Sequence, residues 1–169
     1  TAAHDNGGDI TYTYYPGGKV KNITAPGGAV TTMQYADAAR NQTQMVDPSA
    51  GTINYTYDSY GRLKTQKNNR NQTTTVTYLA DGRIDNVVTP EGITTYSYNT
   101  NKQLTGISSP NSLSRTYGYD TKGRVNSIVE TIGGAGFSTN FTYDSYGRLS
   151  TRTHPSGIVE TLGYNSNGY

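Results

Sequence analysis

The sequence predicts an all-β protein, a repetitive ribbon of antiparallel hairpins with almost no helix. Three observations predict it. One phrase, an aromatic-x-Tyr pair leading through a short polar turn to Gly-Arg-aliphatic, recurs eight times in 169 residues. Anchored on its second aromatic it falls at Tyr14, Tyr35, Tyr57, Tyr78, Tyr98, Tyr119, Tyr143 and Tyr164, with spacings of 21, 22, 21, 20, 21, 24 and 21. A fixed period of this kind marks a repeat architecture. Within a copy the large side chains take alternate positions, as in Ile93-Thr94-Thr95-Tyr96-Ser97-Tyr98, the period of a half-exposed strand. Finally, apolar residues make up 32% of the chain and 16 of its 18 aromatics are Tyr. That is too little aliphatic volume for a two-layer core, yet too much Tyr, Thr, Val and Ile for a disordered chain. A largely single-layered sheet held by ladders of Tyr and Thr satisfies both limits.

Each copy divides into strand, turn, strand, turn. The clearest copies are Tyr55-Thr56-Tyr57-Asp58-Ser59-Tyr60-Gly61-Arg62-Leu63, Tyr117-Gly118-Tyr119-Asp120-Thr121-Lys122-Gly123-Arg124-Val125 and Phe141-Thr142-Tyr143-Asp144-Ser145-Tyr146-Gly147-Arg148-Leu149. Asp58, Asp120 and Asp144 suit the first position of a type I turn, where a carboxylate accepts from the amides ahead of it. Gly61, Gly82, Gly123 and Gly147 follow where a left-handed residue closes a three-residue hairpin, and Gly18 serves the first copy. Lys102 takes that place in the fifth copy, which predicts a different turn type there. The second copy, Tyr35 to Asn41, is the most degenerate. If Asp58 faces Arg62, Tyr57 lies opposite Leu63 and Tyr55 opposite Thr65. One face then carries Tyr and the aliphatic residue, with Tyr stacked on Tyr from copy to copy. The other face carries Asp58, Arg62, Thr56 and Lys64.

A second turn closes each copy, at Pro26-Gly27-Gly28, Pro48 to Gly51, Pro90-Glu91-Gly92, Pro110-Asn111-Ser112 and Pro155-Ser156-Gly157. The longest spacing holds Gly133-Gly134-Ala135-Gly136, which reads as a lengthened second turn. The chain therefore meanders as one antiparallel strip, which strand twist would coil. We take residues 1–169 as a single array of about eight repeats of about 21 residues, cut from a longer protein and truncated within the last copy.

The recurrent Tyr-x-Tyr-Asp-x-x-Gly-Arg-Leu resembles the YD repeat of the Rhs family. The third, sixth and seventh copies match it nearly residue for residue through Tyr55, Tyr57, Asp58, Gly61, Arg62 and Leu63; Tyr117, Tyr119, Asp120, Gly123, Arg124 and Val125; and Tyr143, Asp144, Gly147, Arg148 and Leu149. The resemblance implies a segment of a β-shell. In bacterial Rhs proteins and similar toxin-complex components, such repeats wind into a hollow shell around a C-terminal toxin. In animal teneurins, similar repeats form a barrel in a cell-surface adhesion receptor. It implies neighbouring repeats and an encapsulated toxin domain as partners, and a secreted or surface location in a bacterium. The family's self-cleaving segment ends in Asp-Pro-x-Gly. Asp47-Pro48-Ser49-Ala50-Gly51 has one residue too many and sits in the phase of the second turn, so it reads as a turn. No plug, protease or toxin signature is present.

Few residues point to chemistry. The Tyr ladder could stack on sugar rings, with Tyr55, Tyr96 and Tyr117 as candidates, but rings recurring in every copy suit an internal ladder. This leaves a carbohydrate- or cell-surface-binding adhesion module as the alternative function. Lys19, Arg40, Arg62, Arg83, Arg124 and Arg148 could line a basic track. Pairing with a cross-strand Asp or lying over a neighbouring Tyr fits them better. Net charge is +2 with basic residues spread evenly, which gives no footprint for nucleic acid. No apolar run approaches a membrane span. Zero cysteine excludes disulfides and thiolate metal sites. His4 and His154 lie far apart, and most Asp residues occupy turns, so no metal site and no catalytic set is legible. Gly7-Gly8 and Gly133-Gly134 lack the strand-to-helix context of a phosphate cradle. No cofactor is expected. The five Asn-x-Ser/Thr sequons, at Asn22, Asn41, Asn54, Asn71 and Asn140, are unremarkable in a chain so rich in those residues. Cut edges invite pairing with a second copy, so the isolated chain is expected to self-associate.

Overall fold

In the computed structural model, residues 4–5, 8–165 and 168 are described, the first two without their side chains. Gly7, considered above, lies outside them, as does the side chain of His4. The described chain is all β, with no helix. Its strands are β1 (His4–Asp5), β2 (Gly8–Asp9), β3 (Thr11–Tyr14), β4 (Val20–Thr24), β5 (Val30–Gln34), β6 (Gln44–Asp47), β7 (Gly51–Tyr57), β8 (Leu63–Lys67) and β9 (Thr73–Tyr78). They continue as β10 (Ile84–Thr89), β11 (Gly92–Tyr98), β12 (Leu104–Ser109), β13 (Leu113–Tyr119), β14 (Val125–Ile132), β15 (Ala135–Tyr143), β16 (Leu149–Thr153) and β17 (Val159–Thr161).

Two compact units divide the chain, residues 1–77 with 87–90 and residues 78–86 with 91–169. In the first, β1 and β2 form a small hairpin, and β3 to β9 hydrogen-bond in sequence order, each antiparallel to the next. In the second, β11 to β17 do the same. No described residue is fully buried. In each unit the strands form a single layer, and half-buried Tyr and aliphatic residues take the place of a core. This is what the low apolar content requires.

The first turn of each copy follows from its Asp and Gly. The Asp58 amide donates to Arg62 O at 2.9 Å, and the Gly61 amide donates to Asp58 O at 3.0 Å. Gly61, Gly82, Gly123 and Gly147 have φ of 78°, 91°, 79° and 86°, a region that costs a residue with a Cβ. The fifth copy departs from expectation. Lys102 itself adopts φ 65°, and the turn keeps the common pattern, with Asn99 N to Gln103 O at 3.0 Å and Lys102 N to Asn99 O at 2.9 Å. Local hydrogen bonding outweighs the left-handed penalty there.

The facing of residues also needs correction. Tyr57 does lie opposite Leu63, but Tyr55 faces Gln66 and Thr56 faces Thr65. A bulge at Lys64 shifts the register, and it recurs in the same place of the first, fifth, sixth and seventh copies. One extra residue turns every following side chain to the other face. Thr65 thus joins Thr56 behind the Tyr face, their hydroxyl oxygens 2.6 Å apart, and Thr142 and Thr151 repeat the pair at 2.7 Å.

The long spacing does not hold a long turn. Gly133 and Gly134, at φ 56° and 88°, make a tight two-residue turn with Ile132 opposite Ala135. The added residues lengthen the strands instead, β14 to 8 residues and β15 to 9. Asp47 to Gly51 is a turn as read, with Asp47 opposite Gly51 and the Asp47 carboxylate accepting from the Ser49 and Ala50 amides, each at 2.9 Å.

Candidate functional site

The chemistry-bearing residues of the phrase converge on one small arrangement, repeated along the chain. Its base is the turn carboxylate. Asp120 Oδ1 accepts from the Lys122 and Arg124 amides, each at 2.9 Å, and Oδ2 accepts from Arg124 Nε at 2.7 Å. Asp58 and Asp144 repeat this with Tyr60 and Arg62, and with Tyr146 and Arg148, at 2.7 to 3.0 Å. Asp81 reaches the same end from the position just before its Gly, 2.6 Å from Arg83 Nη2.

These contacts hold the carboxyls below their ordinary value of 3.8. For Asp120 the Arg124 amide is the main cause, followed by its side chain. For Asp81 it is the Arg83 side chain. At Asp58 and Asp144 partial desolvation pushes upward but is outweighed, by the Arg62 amide and side chain in one and by the Arg148 side chain and amide in the other.

With Nε bound to Asp, the guanidinium of Arg83, Arg124 and Arg148 extends over the anchor Tyr of the following copy. Arg83 lies 4.2 Å from the Tyr98 ring centroid, Arg124 4.2 Å from that of Tyr143, and Arg148 4.3 Å from that of Tyr164. Lys19 does the same at 4.8 Å over Tyr35. Arg83 Nη1 and Arg124 Nη1 are shut off from solvent and have no hydrogen-bond partner; the π face beneath them is the favourable environment that remains. The Tyr hydroxyl then completes the link. It donates to the main-chain carbonyl just after the Arg position of the preceding copy: Tyr57 to Gln42 O at 2.8 Å, Tyr98 to Ile84 O at 2.9 Å, Tyr119 to Leu104 O at 2.6 Å, Tyr143 to Val125 O at 2.7 Å and Tyr164 to Leu149 O at 2.8 Å. We refer to Asp, Arg, following Tyr and accepting carbonyl as a clasp.

The clasp overturns two expectations. The Arg side chains end on the Tyr face, since they cover Tyr rings, and do not occupy the opposite face. The rings of Tyr98, Tyr143 and Tyr164 meet guanidinium groups, and a ring-on-ring pair occurs between Tyr15 and Tyr35 at 5.9 Å and 86°. Sequence alternation could not show this, because the Arg side chain reaches across to the following copy.

Tyr55, Tyr96 and Tyr117, named for ligand stacking, are half-buried on that face, opposite Gln66, Ile107 and Ile128. The freely exposed rings are Tyr60 and Tyr146, at 82% and 83%. Both sit at turn tips, where their neighbouring Arg residues flank them at 5.0 and 5.1 Å. On sequence alone the Asp and Gly of the turn have roles and the residue before the Gly has none, so these two were missed. No group of acidic or His residues able to hold a metal occurs among the described residues, and no described helix is long and apolar enough to cross a membrane.

A family model described as the teneurin YD-shell matches residues 27–134, more than half of the chain. The chain belongs to the teneurin YD-shell family. The YD-shell fold also appears in similar solved structures. The TcdB2-TccC3 crystal structure superposes with a TM-score of 0.75 at 14% identity, covering 93% of this chain and 10% of that one. TcdB2-TccC3-TEV gives 0.59 at 12%, covering 99% and 13%. The Photorhabdus luminescens Tc holotoxin pore gives 0.57 at 14%, covering 93% and 12%. At these identities the likeness shows the fold, and this chain spans about a tenth of the length of those chains. Among curated proteins no sequence match was found.

Proposed function

We propose that this YD-shell segment is a non-catalytic stretch of wall in a hollow shell that encapsulates or displays a C-terminal toxin or effector, in a secreted or surface protein of bacterial type. The observation that carries the reading is the clasp. It commits the Asp and Arg of the fourth, sixth and seventh copies to the Tyr of the next, and there the groups that could bind or react are consumed in holding the sheet together. Membership of the YD-shell family supports the same reading.

The experiment uses the whole parent protein. Limited proteolysis should leave the segment downstream of the shell intact while the wall is folded. Opening the wall with Tyr143→Leu and Arg124→Gln together should expose that segment to cleavage. Digestion of the downstream segment at the same rate in intact and opened protein would refute encapsulation.

A second reading, a carbohydrate- or surface-binding adhesion module, draws on the exposure of Tyr60 and Tyr146. A glycan array should then show binding that Tyr60→Ala or Tyr146→Ala abolishes without altering the melting temperature. Silence on the array counts against it.

A further inference from the structure

The first two copies break the clasp, and the break leaves a cavity. In the turn that begins at Tyr15, that residue occupies the position filled by Asp in the clearest copies. Its amide donates to Lys19 O at 2.8 Å and the Gly18 amide donates back to Tyr15 O at 3.0 Å, the pattern that Asp58, Gly61 and Arg62 make. Lys19 therefore holds the Arg position with a ring where its carboxylate partner would be. In the second copy Arg40 takes the left-handed position, φ 58°, and Asn41 takes the Arg position. Asp37 uses its carboxylate on the Asn41 amide. Arg40 is displaced toward the first turn, where its Nη1 would lie 3.4 Å from a Cβ built on Gly17.

Between them lies a cavity of about 350 Å³, lined by Tyr15, Pro16, Lys19, Gln34, Tyr35 and Arg40 among others, all within the first unit. Its aromatic walls are the perpendicular pair Tyr15 and Tyr35. Its cations are Lys19, whose Nζ donates to Arg40 O and lies over Tyr35, and Arg40. Neither forms an ion pair among the described residues, whereas Arg62, Arg83, Arg124 and Arg148 each have an Asp. No acidic side chain lines the cavity. Concave apolar walls with a few convergent polar groups, in the size range of small-molecule sites, are the features of a ligand pocket.

We propose that this cavity binds a carboxylate carried on a ring-sized body, the ligand carboxylate taking the place of the missing Asp beside Lys19 and Arg40 and the ring resting on Tyr15 and Tyr35. Bidentate pairing suits Arg40 to this task.

The test is titration calorimetry with saturation-transfer NMR on the 169-residue chain. Benzoate and D-glucuronate are compared with their neutral counterparts, benzyl alcohol and D-glucose. One or both acids should bind at least about tenfold more tightly than the neutral partner, and binding should weaken in high salt. Benzoate alone would identify an aromatic acid, glucuronate alone an acidic sugar, and both a site that reads the carboxylate first. The pair Lys19→Gln and Arg40→Gln should lower affinity by about tenfold or more while the circular dichroism of the folded sheet stays unchanged. If that pair misfolds, Arg40→Gln alone serves, since Arg40 is exposed. Acids that bind no better than the neutral compounds, or a variant that keeps full affinity, would overturn the proposal.

Discussion

Replacing Tyr143 tests the clasp most directly, because its two contacts can be removed one at a time. Tyr143→Phe deletes the hydroxyl that donates to Val125 O at 2.7 Å and leaves the ring under Arg124. A net loss of about 1 kcal/mol is expected for one such hydrogen bond. Tyr143→Leu also removes the ring that lies 4.2 Å from the guanidinium. Because Arg124 Nη1 is closed off from water and otherwise unpartnered, the cation–π contact falls in the upper part of the exposed range, about 1 kcal/mol more. For a chain of this length each kcal/mol lowers the melting temperature by about 2–4 °C, so Phe should cost about 3 °C and Leu about 6 °C. Calorimetry and urea titration of the two variants supply the numbers. A double-mutant cycle with Arg124→Gln then isolates the pair. Gln is a native choice at this position, since Gln103 occupies it in the fifth copy and donates to Gly123 O at 2.7 Å. A coupling of about 0.5–1 kcal/mol is expected. Additivity within about 0.3 kcal/mol, or a Phe variant as damaged as Leu, would refute the clasp.

Three further outcomes follow from the same geometry. Gly147→Ala should cost more than 1 kcal/mol by roughly the left-handed penalty, since φ is 86° and the new Cβ would stand 3.4 Å from Arg124 Nη1; Lys102→Gly should have the opposite sign, both read from urea midpoints. Lowering the pH should leave stability level until about pH 5 and then reduce it. Asp47, Asp58, Asp81, Asp120 and Asp144 all have folded-state values below 3.8, so their contribution is complete above that value and is lost as pH falls through the lowered ones; Asp120→Asn should flatten the decline. Tyr60→Ala and Tyr146→Ala should each change stability by less than about 0.5 kcal/mol, as their rings are 82% and 83% exposed; a larger loss would show that the flanking Arg contacts matter more than exposure implies.

Local chemistry was legible in the sequence, and relations between copies only in part: Arg was expected to lie over a neighbouring Tyr, but on the opposite face. Asp58 and Gly61 announce their turn because each acts within five residues, and Tyr57 opposite Leu63 follows from closure of that turn. The bulge at Lys64 is invisible to alternation: no residue type marks it, and it recurs in the fifth copy, where Lys102 takes the place of the left-handed Gly. With the bulge unseen, Thr65 was placed on the wrong face. Arg124 was misplaced for a related reason. Its Asp lies 4 residues back, which the sequence suggests, while its ring lies 19 residues ahead, at Tyr143, where only the paired strands bring it near. Lys102 shows the reverse error, since a residue unsuited to φ 65° was taken to change the turn, when the bonds of Asn99 and Gln103 are enough to hold it.

The clasp also explains why so apolar-poor a chain folds. In a repeat array stability is the sum of what each copy contributes and what each interface between neighbours adds. A lone hairpin with half-buried Tyr is marginal, so the interface must supply the difference. It does so with groups that are cheap to leave exposed in the unfolded chain and mutually satisfying once paired. The Asp takes the Arg Nε, the Tyr ring takes the face of the guanidinium, and the Tyr hydroxyl takes a carbonyl on the strand behind. Removing any one of the three leaves another unsatisfied, so the three positions are constrained together. The fifth copy supports this, because there Asp and Arg change as a pair to Asn99 and Gln103, which bond each other at 2.9 Å. The first copy supports it from the other side. Where Tyr15 replaces the Asp, Lys19 is left without its carboxylate, and a cavity appears beside it.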